Sequence, residues 1–305
     1  MPKLRVNGNQ THYQVKGDGP DVVLVHGLTA SLAFWYATKV FPILGKEFRV
    51  TAYDLRGHGY SDQTPTGYTS HALAEDLLGL MDAVGIERAR IIGHSYGGSV
   101  ALHFALLYPE RTEGVVICDT GFAALRHLRR IDNWPGWEVW QEQLPQLGIT
   151  PDWFSQADLK GVDAILEKSL DIPVQFGIRR GGTRDTPRFR KLLYETSVGM
   201  DFRDPSGLTE DRLADITPPV LAVYGELSPF RNVAAYLSQT LPNCAGQIVA
   251  DVGHFFLMHA PDKFIDLVRP FLHDSAAYTK HKSANGASQA MTASQTERSP
   301  GESSS

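Results

Sequence analysis

The amino-acid sequence predicts an α/β fold in which helices cover both faces of a largely parallel sheet. From residue 20 onwards, short apolar runs rich in β-branched residues alternate with segments of helical periodicity. This alternation is the pattern of βαβ units. The apolar runs predicted as strands are residues 21–25, 48–53, 89–92, 114–118, 219–224 and 247–250.

Helices are predicted from the spacing of apolar residues between these strands. Residues 71–84 carry leucine, methionine and valine at helical spacing, and residues 99–108 form a second apolar-faced segment that ends before Pro109. Residues 261–272 are predicted as a closing helix with its apolar side chains on one face.

A long interruption divides the predicted sheet. Residues 121–214 lack the strand pattern and are rich in tryptophan, arginine and proline, which predicts an inserted helical lid. Residues 1–120 and 215–274 are expected to form the core. Residues 275–305 are almost wholly small, polar or charged, and this composition predicts a disordered tail because it cannot offset its own ordering entropy.

Composition and net charge limit the classes of molecule that the protein is expected to bind. The chain has 305 residues, a formal net charge of −5 and 42% hydrophobic residues, so no general attraction to nucleic acid is expected. No secretory signal, no membrane-spanning apolar run, and no metal or nucleotide motif in a usable context is visible, so neither membrane nor cofactor is implied. Cys118 and Cys244 are expected to be reduced thiols. We expect a cytoplasmic enzyme with a small-molecule substrate; the sequence leaves the oligomeric state open.

One motif points to covalent chemistry. Gly93, Ser95 and Gly97 stand in the pattern G-x-S-x-G, between a predicted strand and a predicted helix. A turn this sharp holds the serine in a strained conformation, and glycine keeps Cβ atoms out of the crowded places. Ser95 is therefore the candidate nucleophile. An ordinary glycine-rich turn in which Ser95 only caps the helix is the alternative.

A second loop supplies the groups that acyl transfer needs. The first core strand ends at His26, followed by Gly27 and Leu28. An oxyanion is stabilised by two fixed N–H groups, one from the residue after the nucleophile and one from this loop. The candidates are the amides of Tyr96 and Leu28. His26 is expected to shape the loop by hydrogen bonds and to lie near the substrate.

Four ordered motifs resemble the α/β-hydrolase superfamily, in particular its lid-bearing branch of esterases, epoxide hydrolases, dehalogenases and carbon–carbon bond hydrolases. They are His26-Gly27, residues 54–61 (DLRGHGYS), residues 93–98 (GHSYGG), and Gly253-His254 followed by Pro261. The resemblance covers residues 4–272 and implies a mostly parallel eight-stranded sheet with an inserted helical lid. It also implies that Asp54 and Arg56 hold the floor of the active site.

The base and the acid follow from chain order. His254 comes after the last predicted strand, where the resemblance places a triad histidine, and His259 ranks below it. The position usual for the acid is occupied by Ser228, which cannot carry a negative charge. Some relatives place the acid after the sixth strand, and there the chain has Asp119. We expect Asp119 as the acid, with Glu226 as the alternative acid and a weakened dyad as the remaining possibility.

Aromatic and basic residues suggest the substrate. Tryptophans crowd the predicted lid and follow the oxyanion loop, which favours an apolar or aromatic ligand or, equally, a small core of the lid itself. With His26, the residues expected to bind substrate are Trp35, Trp137, Trp140 and Trp153. Arginines including Arg126, Arg129 and Arg130 make this region basic, either to attract a carboxylate or thioester or as a solvated face.

The sequence thus predicts a serine hydrolase that cleaves an ester, lactone, thioester or carbon–carbon bond through an acyl-enzyme. The resemblance implies an aspartate nucleophile in epoxide hydrolases and haloalkane dehalogenases of this branch, so Ser95 disfavours both. Two alternatives stay open. One is a cofactor-independent oxygenase that uses the histidine as base, and the other is a ligand sensor with low turnover.

Overall fold

The computed structural model describes residues 2–129 and 187–279. Within them the chain forms one eight-stranded sheet with the strand order β1-β2-β4-β3-β5-β6-β7-β8. The strands are β1 (Lys3–Val6), β2 (Asn9–Lys16), β3 (Asp21–Val25), β4 (Arg49–Tyr53), β5 (Ala89–His94), β6 (Thr112–Cys118), β7 (Val220–Gly225) and β8 (Cys244–Val249).

The pairing of the strands brings one set of loops together. β1 pairs antiparallel with β2, and β2 pairs antiparallel with β4. Along the rest of the sheet, from β4 through β3 and β5 to β8, every neighbouring pair is parallel. In a parallel sheet all strands end at the same edge, and ligands bind in the crevice outside those carboxyl ends. The loops that follow β3, β5, β6, β7 and β8 therefore meet at one edge.

Helices cover both faces of the sheet. In chain order the described helices are α1 (Ala33–Ala37), α2 (Val40–Leu44), α3 (Ser70–Val84), α4 (Tyr96–Leu107), α5 (Pro187–Glu195), α6 (Val198–Asp201), α7 (Arg231–Thr240), α8 (Phe256–His259) and α9 (Pro261–His273), and residues 275–279 form a further helical segment. Short 3₁₀ turns occupy Pro109–Arg111, Arg126–Leu128 and Glu210–Asp215.

Two hydrophobic layers result from the alternation of side chains along each strand. On one face, Val23 and Ile91 pack in a core with α3, α4 and α7. On the other face, Val22 and Ile92 pack in a core with α1, α2 and α9. Because successive strand residues point to opposite faces, the continuous apolar runs of the sequence fill both layers. The α/β fold with a mostly parallel eight-stranded sheet is confirmed.

Several elements were not predicted individually from the sequence: β1, β2, α1, α2, α7 and α8. β1 and β2 carry polar and apolar residues without a continuous apolar run, and α1, α2 and α8 are only four or five residues long. The last strand begins at Cys244, three residues before its predicted start. Its first half is Cys244-Ala-Gly, and small residues lack the β-branched signal on which the prediction relied.

The end of the predicted helical insertion packs on the core. Leu192 of α5 and Val198 of α6 are buried against Tyr68. The Tyr68 amide donates to Asp201 Oδ2 at 2.9 Å, and the Ser197 amide donates to the Pro65 carbonyl at 2.8 Å. These bonds fasten α5 and α6 to the loop before α3. Residues 130–186 of the predicted lid, with Trp137, Trp140 and Trp153, lie outside the described residues.

Helical structure is present beyond the predicted start of the tail. Residues 275–279 are helical, and Ser275 and Thr279 are 3% and 2% exposed. The Ser275 hydroxyl donates to the Phe271 carbonyl at 2.8 Å, and the rings of Tyr278 and Phe271 meet edge to face at 5.7 Å. The boundary at residue 275 is therefore too early, because composition alone does not register a few small residues that dock on a helix.

We predict that truncation after Asp274 lowers the free energy of unfolding by about 1–3 kcal/mol relative to truncation after Thr279, since the shorter chain loses the burial of Ser275, Tyr278 and Thr279. Urea titration of both truncated proteins measures the difference. Equal stabilities would show that residues 275–279 contribute nothing to the fold.

Candidate active site

The predicted nucleophile lies at a strained turn. β5 ends at His94 and α4 begins at Tyr96, so Ser95 alone connects strand and helix. Its backbone has φ 53° and ψ −124°, a conformation that costs a non-glycine residue about 1–3 kcal/mol. Two hydrogen bonds hold it: the Ser95 amide donates to the Cys118 carbonyl at 2.9 Å, and the Ser95 carbonyl accepts from the Gly98 amide at 2.9 Å. The serine is thus presented, half-exposed, at the carboxyl edge of the sheet.

Glycines allow three chain segments to meet at this turn. A Cβ atom on Gly93 would lie 2.2 Å from the Gly97 carbonyl oxygen, and one on Gly97 would lie 2.1 Å from the Val25 carbonyl oxygen. A Cβ atom on Gly27 would lie 2.9 Å from Cβ of Ser95. Separations this short are excluded sterically, so the loop after β3 approaches Ser95 only because it carries glycine.

Two backbone donors flank the serine. Among the described residues, the amide N–H groups of Leu28 and Tyr96 have no hydrogen-bond acceptor. The Tyr96 amide opens α4, where the helix dipole adds positive potential, and Leu28 follows the glycine that touches Ser95. Both amides are available to an oxygen bound at the turn.

His26 fixes the loop that carries Leu28. Its Nδ1 donates to the Gly27 carbonyl at 2.8 Å, and its Nε2 accepts from the Leu55 amide at 3.0 Å. The ring is fully buried, and burial lowers its pKa. The loop-shaping role expected for His26 fits these bonds. The expected contact with substrate does not, because neither ring nitrogen is left for a ligand.

The loop of residues 54–61 completes this support. His58 Nδ1 donates to the Arg56 carbonyl at 2.8 Å, and its Nε2 accepts from the Thr29 amide at 3.1 Å. Asp54 Oδ1 accepts from the Leu32 amide at 2.7 Å, and Arg56 forms a two-pronged ion pair with Asp76 of α3 at 2.8 and 2.7 Å. The segment 26–32 is therefore tied to a loop that is itself anchored on α3.

The neutral histidines in these loops make the stability of the fold sensitive to acid. Burial, followed by the neighbouring His26, lowers the pKa of His58 to about 3, whereas an exposed imidazole titrates near 6.5. Between these values the unfolded chain binds a proton that the folded chain does not. The free energy of unfolding therefore falls as the pH decreases from about 6.5 towards 3.

We predict that His58→Gln reduces this pH dependence by up to about 1.4 kcal/mol per pH unit, because an amide can accept from Thr29 without titrating. Urea titrations between pH 7 and pH 4.5 measure the slope. The matched control is His259→Gln, an exposed histidine whose replacement leaves the slope unchanged. An identical slope in the two variants would contradict the assignment.

The predicted base meets a buried carboxylate. His254 Nδ1 lies 3.0 Å from Asp119 Oδ1, and Asp119 is fully buried, immediately after β6. Asp119 Oδ2 accepts from the Gly225 amide at 2.8 Å, and Oδ1 also accepts from the Ser228 hydroxyl. Three donors thus surround one desolvated carboxylate, as burial of a charge requires.

The alternative acid makes a different contact. Glu226 is exposed, and its Oε2 accepts from the Asp251 amide at 3.1 Å. The structure therefore places Asp119, and not Glu226, against the imidazole of His254. Ser228, which occupies the usual position of the acid, donates a hydrogen bond to Asp119 instead.

His94 links the histidine loop to the nucleophile turn. Its Nε2 donates to the His254 carbonyl at 3.2 Å, and the two imidazole rings lie 5.1 Å apart. Burial, followed by the neighbouring His254, lowers the pKa of His94 to about 3, so the ring is neutral. Since His94 precedes Ser95, this contact places His254 beside the turn. Among the described residues, neither the Ser95 hydroxyl nor His254 Nε2 makes a hydrogen bond.

Aromatic rings missed by the sequence analysis surround the imidazole. Phe230 and Phe255 meet the His254 ring edge to face at 5.5 and 4.8 Å, and Phe34 stacks on His94 at 4.7 Å. All three are half-buried. Single aromatic residues in loops carry no periodic signal, although each stands within a few residues of a motif.

Trp35 does not belong to this apolar surface. It is fully buried in the core on the α1, α2 and α9 face, with its ring 5.1 Å from that of Phe34. The expected substrate contact of Trp35 is wrong, because α1 turns its side chain towards the sheet and leaves Phe34 at the site.

A second serine–histidine pair lies elsewhere. Ser70 Oγ is 2.9 Å from His103 Nδ1, between α3 and α4, and the two residues are 4% and 0% exposed. Among the described residues, His103 Nε2 has no partner, and no carboxylate orients the ring. The pair joins α3 and α4, and both side chains are buried between these helices.

Among residues 2–129 and 187–279, no three His, Cys, Asp or Glu side chains are grouped so that they could hold a metal ion. Within the same ranges, no helix combines the length and apolarity needed to cross a bilayer.

Known proteins resemble this chain over most of its length. A family model described as alpha/beta hydrolase fold matches residues 20–164. A soluble epoxide hydrolase from Corynebacterium sp. (strain C12) is 38% identical over 87% of this chain and 94% of its own length. A fluoroacetate dehalogenase from Burkholderia sp. is 28% identical over 86% of this chain and 90% of its own.

Similarity to solved structures extends over most of the chain. The structure of an N-acyl homoserine lactone degrading enzyme superposes with a TM-score of 0.61 and 26% identity, covering 88% of this chain and 100% of that one. With the matching family model and the 38% identical relative, this similarity identifies the protein: the chain belongs to the α/β-hydrolase fold family and is an enzyme of the hydrolase type.

Proposed function

We propose that the protein is a serine hydrolase that cleaves small apolar or aromatic esters, lactones or related acyl compounds through an acyl-enzyme. The observation that carries the proposal is the Asp119–His254 pair beside Ser95. The imidazole is held at Nδ1 by a buried carboxylate at 3.0 Å, and its Nε2 is free to exchange a proton. A serine in a strained turn at the same sheet edge supplies the hydroxyl.

The first chemical step forms the acyl-enzyme. Ser95 Oγ attacks the substrate carbonyl carbon while His254 Nε2 takes its proton, and the resulting imidazolium is stabilised by Asp119. The tetrahedral intermediate collapses when the bond to the leaving group breaks, and His254 returns the proton to that group. The acyl group is then bound to Ser95.

Water completes the cycle by the reverse route. His254 accepts a proton from water as its oxygen attacks the acyl carbon, and the proton passes to Ser95 Oγ as the acid product leaves. In both steps the oxyanion accepts hydrogen bonds from the amides of Leu28 and Tyr96. One such donor is worth about two to three orders of magnitude in kcat in serine proteases.

The class of bond that we propose for cleavage follows from the nucleophile and from the aromatic side chains around His254. Two relatives are named as an epoxide hydrolase and a dehalogenase, activities for which the family resemblance implies an aspartate nucleophile, and this chain has Ser95 there. One similar structure is that of an N-acyl homoserine lactone degrading enzyme, and a lactone contains an acyl bond that a serine can attack. Phe34, Phe230 and Phe255 favour an apolar or aromatic substrate.

We predict that a fluorophosphonate probe labels the wild-type protein at Ser95 and that short p-nitrophenyl esters are hydrolysed. Ser95→Ala is expected to lose all labelling and at least about three orders of magnitude in kcat. Intact mass spectrometry and ester assays measure the two effects. Ser99→Ala, a buried serine on α4, is the matched control.

Three outcomes would contradict this proposal in different ways. Wild-type protein that neither reacts with the probe nor cleaves esters fits the ligand sensor. Retained turnover of a hydroxylated aromatic substrate by Ser95→Ala fits the oxygenase, in which His254 acts as base. Labelling at another residue rejects Ser95 as nucleophile.

We further predict that Asp119→Asn lowers kcat by about three to four orders of magnitude, because the amide no longer fixes the imidazole in the active tautomer. Glu226→Gln is the control for the alternative acid and changes kcat less than about threefold. Steady-state kinetics on one ester at pH 8 measures both variants. The reverse order of effects would assign the acid to Glu226.

A further inference from the structure

Arg129 lies beside the candidate active site, and no carboxylate among residues 2–129 and 187–279 forms an ion pair with it. Its guanidinium carbon lies 5.6 Å above the centre of the Phe230 ring, and that ring is 5.5 Å from the imidazole of His254. One aromatic side chain therefore separates the guanidinium from the base. The side chain is half-buried, and its Nε is shielded from solvent and has no hydrogen-bond partner within the described part of the chain.

The backbone around Arg129 is fixed. Its amide donates to the Arg126 carbonyl at 3.1 Å, closing the 3₁₀ turn Arg126–Leu128. The Leu128 carbonyl accepts from Asn232 Nδ2 at 3.4 Å, which ties this turn to α7. Gly121 makes room for Phe230, since a Cβ there would lie 2.4 Å from the ring. These contacts fix the backbone of Arg129 and the ring of Phe230, over which the guanidinium lies.

No carboxylate of the described chain neutralises this charge. Asp119, beneath His254, is already satisfied by the imidazole, the Gly225 amide and the Ser228 hydroxyl. Glu226 accepts from the Asp251 amide. Partial burial of an unpaired guanidinium is unfavourable, and an anionic ligand would offset that cost.

We propose that Arg129 binds a carboxylate carried by the substrate, so that the preferred substrates are esters or lactones with an acid group near the scissile carbonyl. This inference rests on the proposed hydrolase function. A guanidinium fork matches the two oxygens of one carboxylate, and one fork supplies one positive charge. Phe230 contributes an apolar wall between the carboxylate and the reacting bond.

Two pairs of esters test the inference. The mono-p-nitrophenyl ester of glutarate is compared with p-nitrophenyl 5-methylhexanoate, in which an isopropyl group replaces the carboxylate. The second pair moves the charge to the leaving group: 3-carboxyphenyl butyrate is compared with 3-isopropylphenyl butyrate. The measured quantity is the ratio of kcat/KM for the acidic ester to kcat/KM for its neutral partner.

The wild-type ratio is expected to exceed one in at least one pair, and Arg129→Met is expected to lower that ratio about 10- to 100-fold. Arg129→Lys, which keeps a charge without the fork, retains part of the preference. Arg126→Met is the matched control because Arg126 is exposed in the same turn, and it leaves the ratio within about twofold. A ratio below one in both pairs, or an unchanged ratio in Arg129→Met, overturns the inference.

Direct binding separates this inference from the proposed function. If no ester in either pair is cleaved, the hydrolase proposal fails, and calorimetry with glutarate on the wild-type protein and Arg129→Met still tests the carboxylate site. Glutarate binding that Arg129→Met weakens at least tenfold supports the site in the absence of turnover. Equal binding, or none to either protein, rejects it.

Discussion

The arrangement of this site depends on the burial of one carboxylate. Asp119 is fully buried, and a charge in that position is stable only when donors surround it. The donors come from three places: the Gly225 amide at the end of β7, the Ser228 hydroxyl in the next loop, and His254 after β8. Satisfying this charge therefore aligns the ends of β6 and β7 with the histidine loop, and leaves Nε2 of His254 directed away from the acid.

A second set of contacts, made by neutral histidine rings, positions the loop of Leu28 and the turn of Ser95. The rings of His26 and His58 accept backbone N–H groups, and His94 donates to the His254 carbonyl. His26 and His58 can accept these bonds only while burial keeps their rings uncharged. The loop of Leu28, the turn of Ser95 and the loop of His254 are thus connected through imidazoles that do not touch the reacting atoms. Loss of one ring would disturb the geometry without removing a catalytic group.

The sequence predicted the site correctly where steric contacts allow only one type of residue at a position. The glycines around Ser95 are required by contacts of 2.1–2.9 Å, so their spacing between a predicted strand and a predicted helix predicts the turn. The choice between Asp119 and Glu226 stayed open because it depends on which of two loops faces His254. Trp35 was misplaced because an apolar residue on a short helix gives no sign of which face it buries. The docked residues 275–279 were missed because small side chains carry no hydrophobic signal.

The most direct test is a crystal structure of the protein after reaction with a fluorophosphonate. Phosphorus bonded to Ser95 Oγ is expected, with its oxygen within about 3 Å of the Leu28 and Tyr96 amides and with His254 Nδ1 still on Asp119. Phosphorus on another side chain such as Ser70, or an imidazole that has turned to Glu226, would contradict the account.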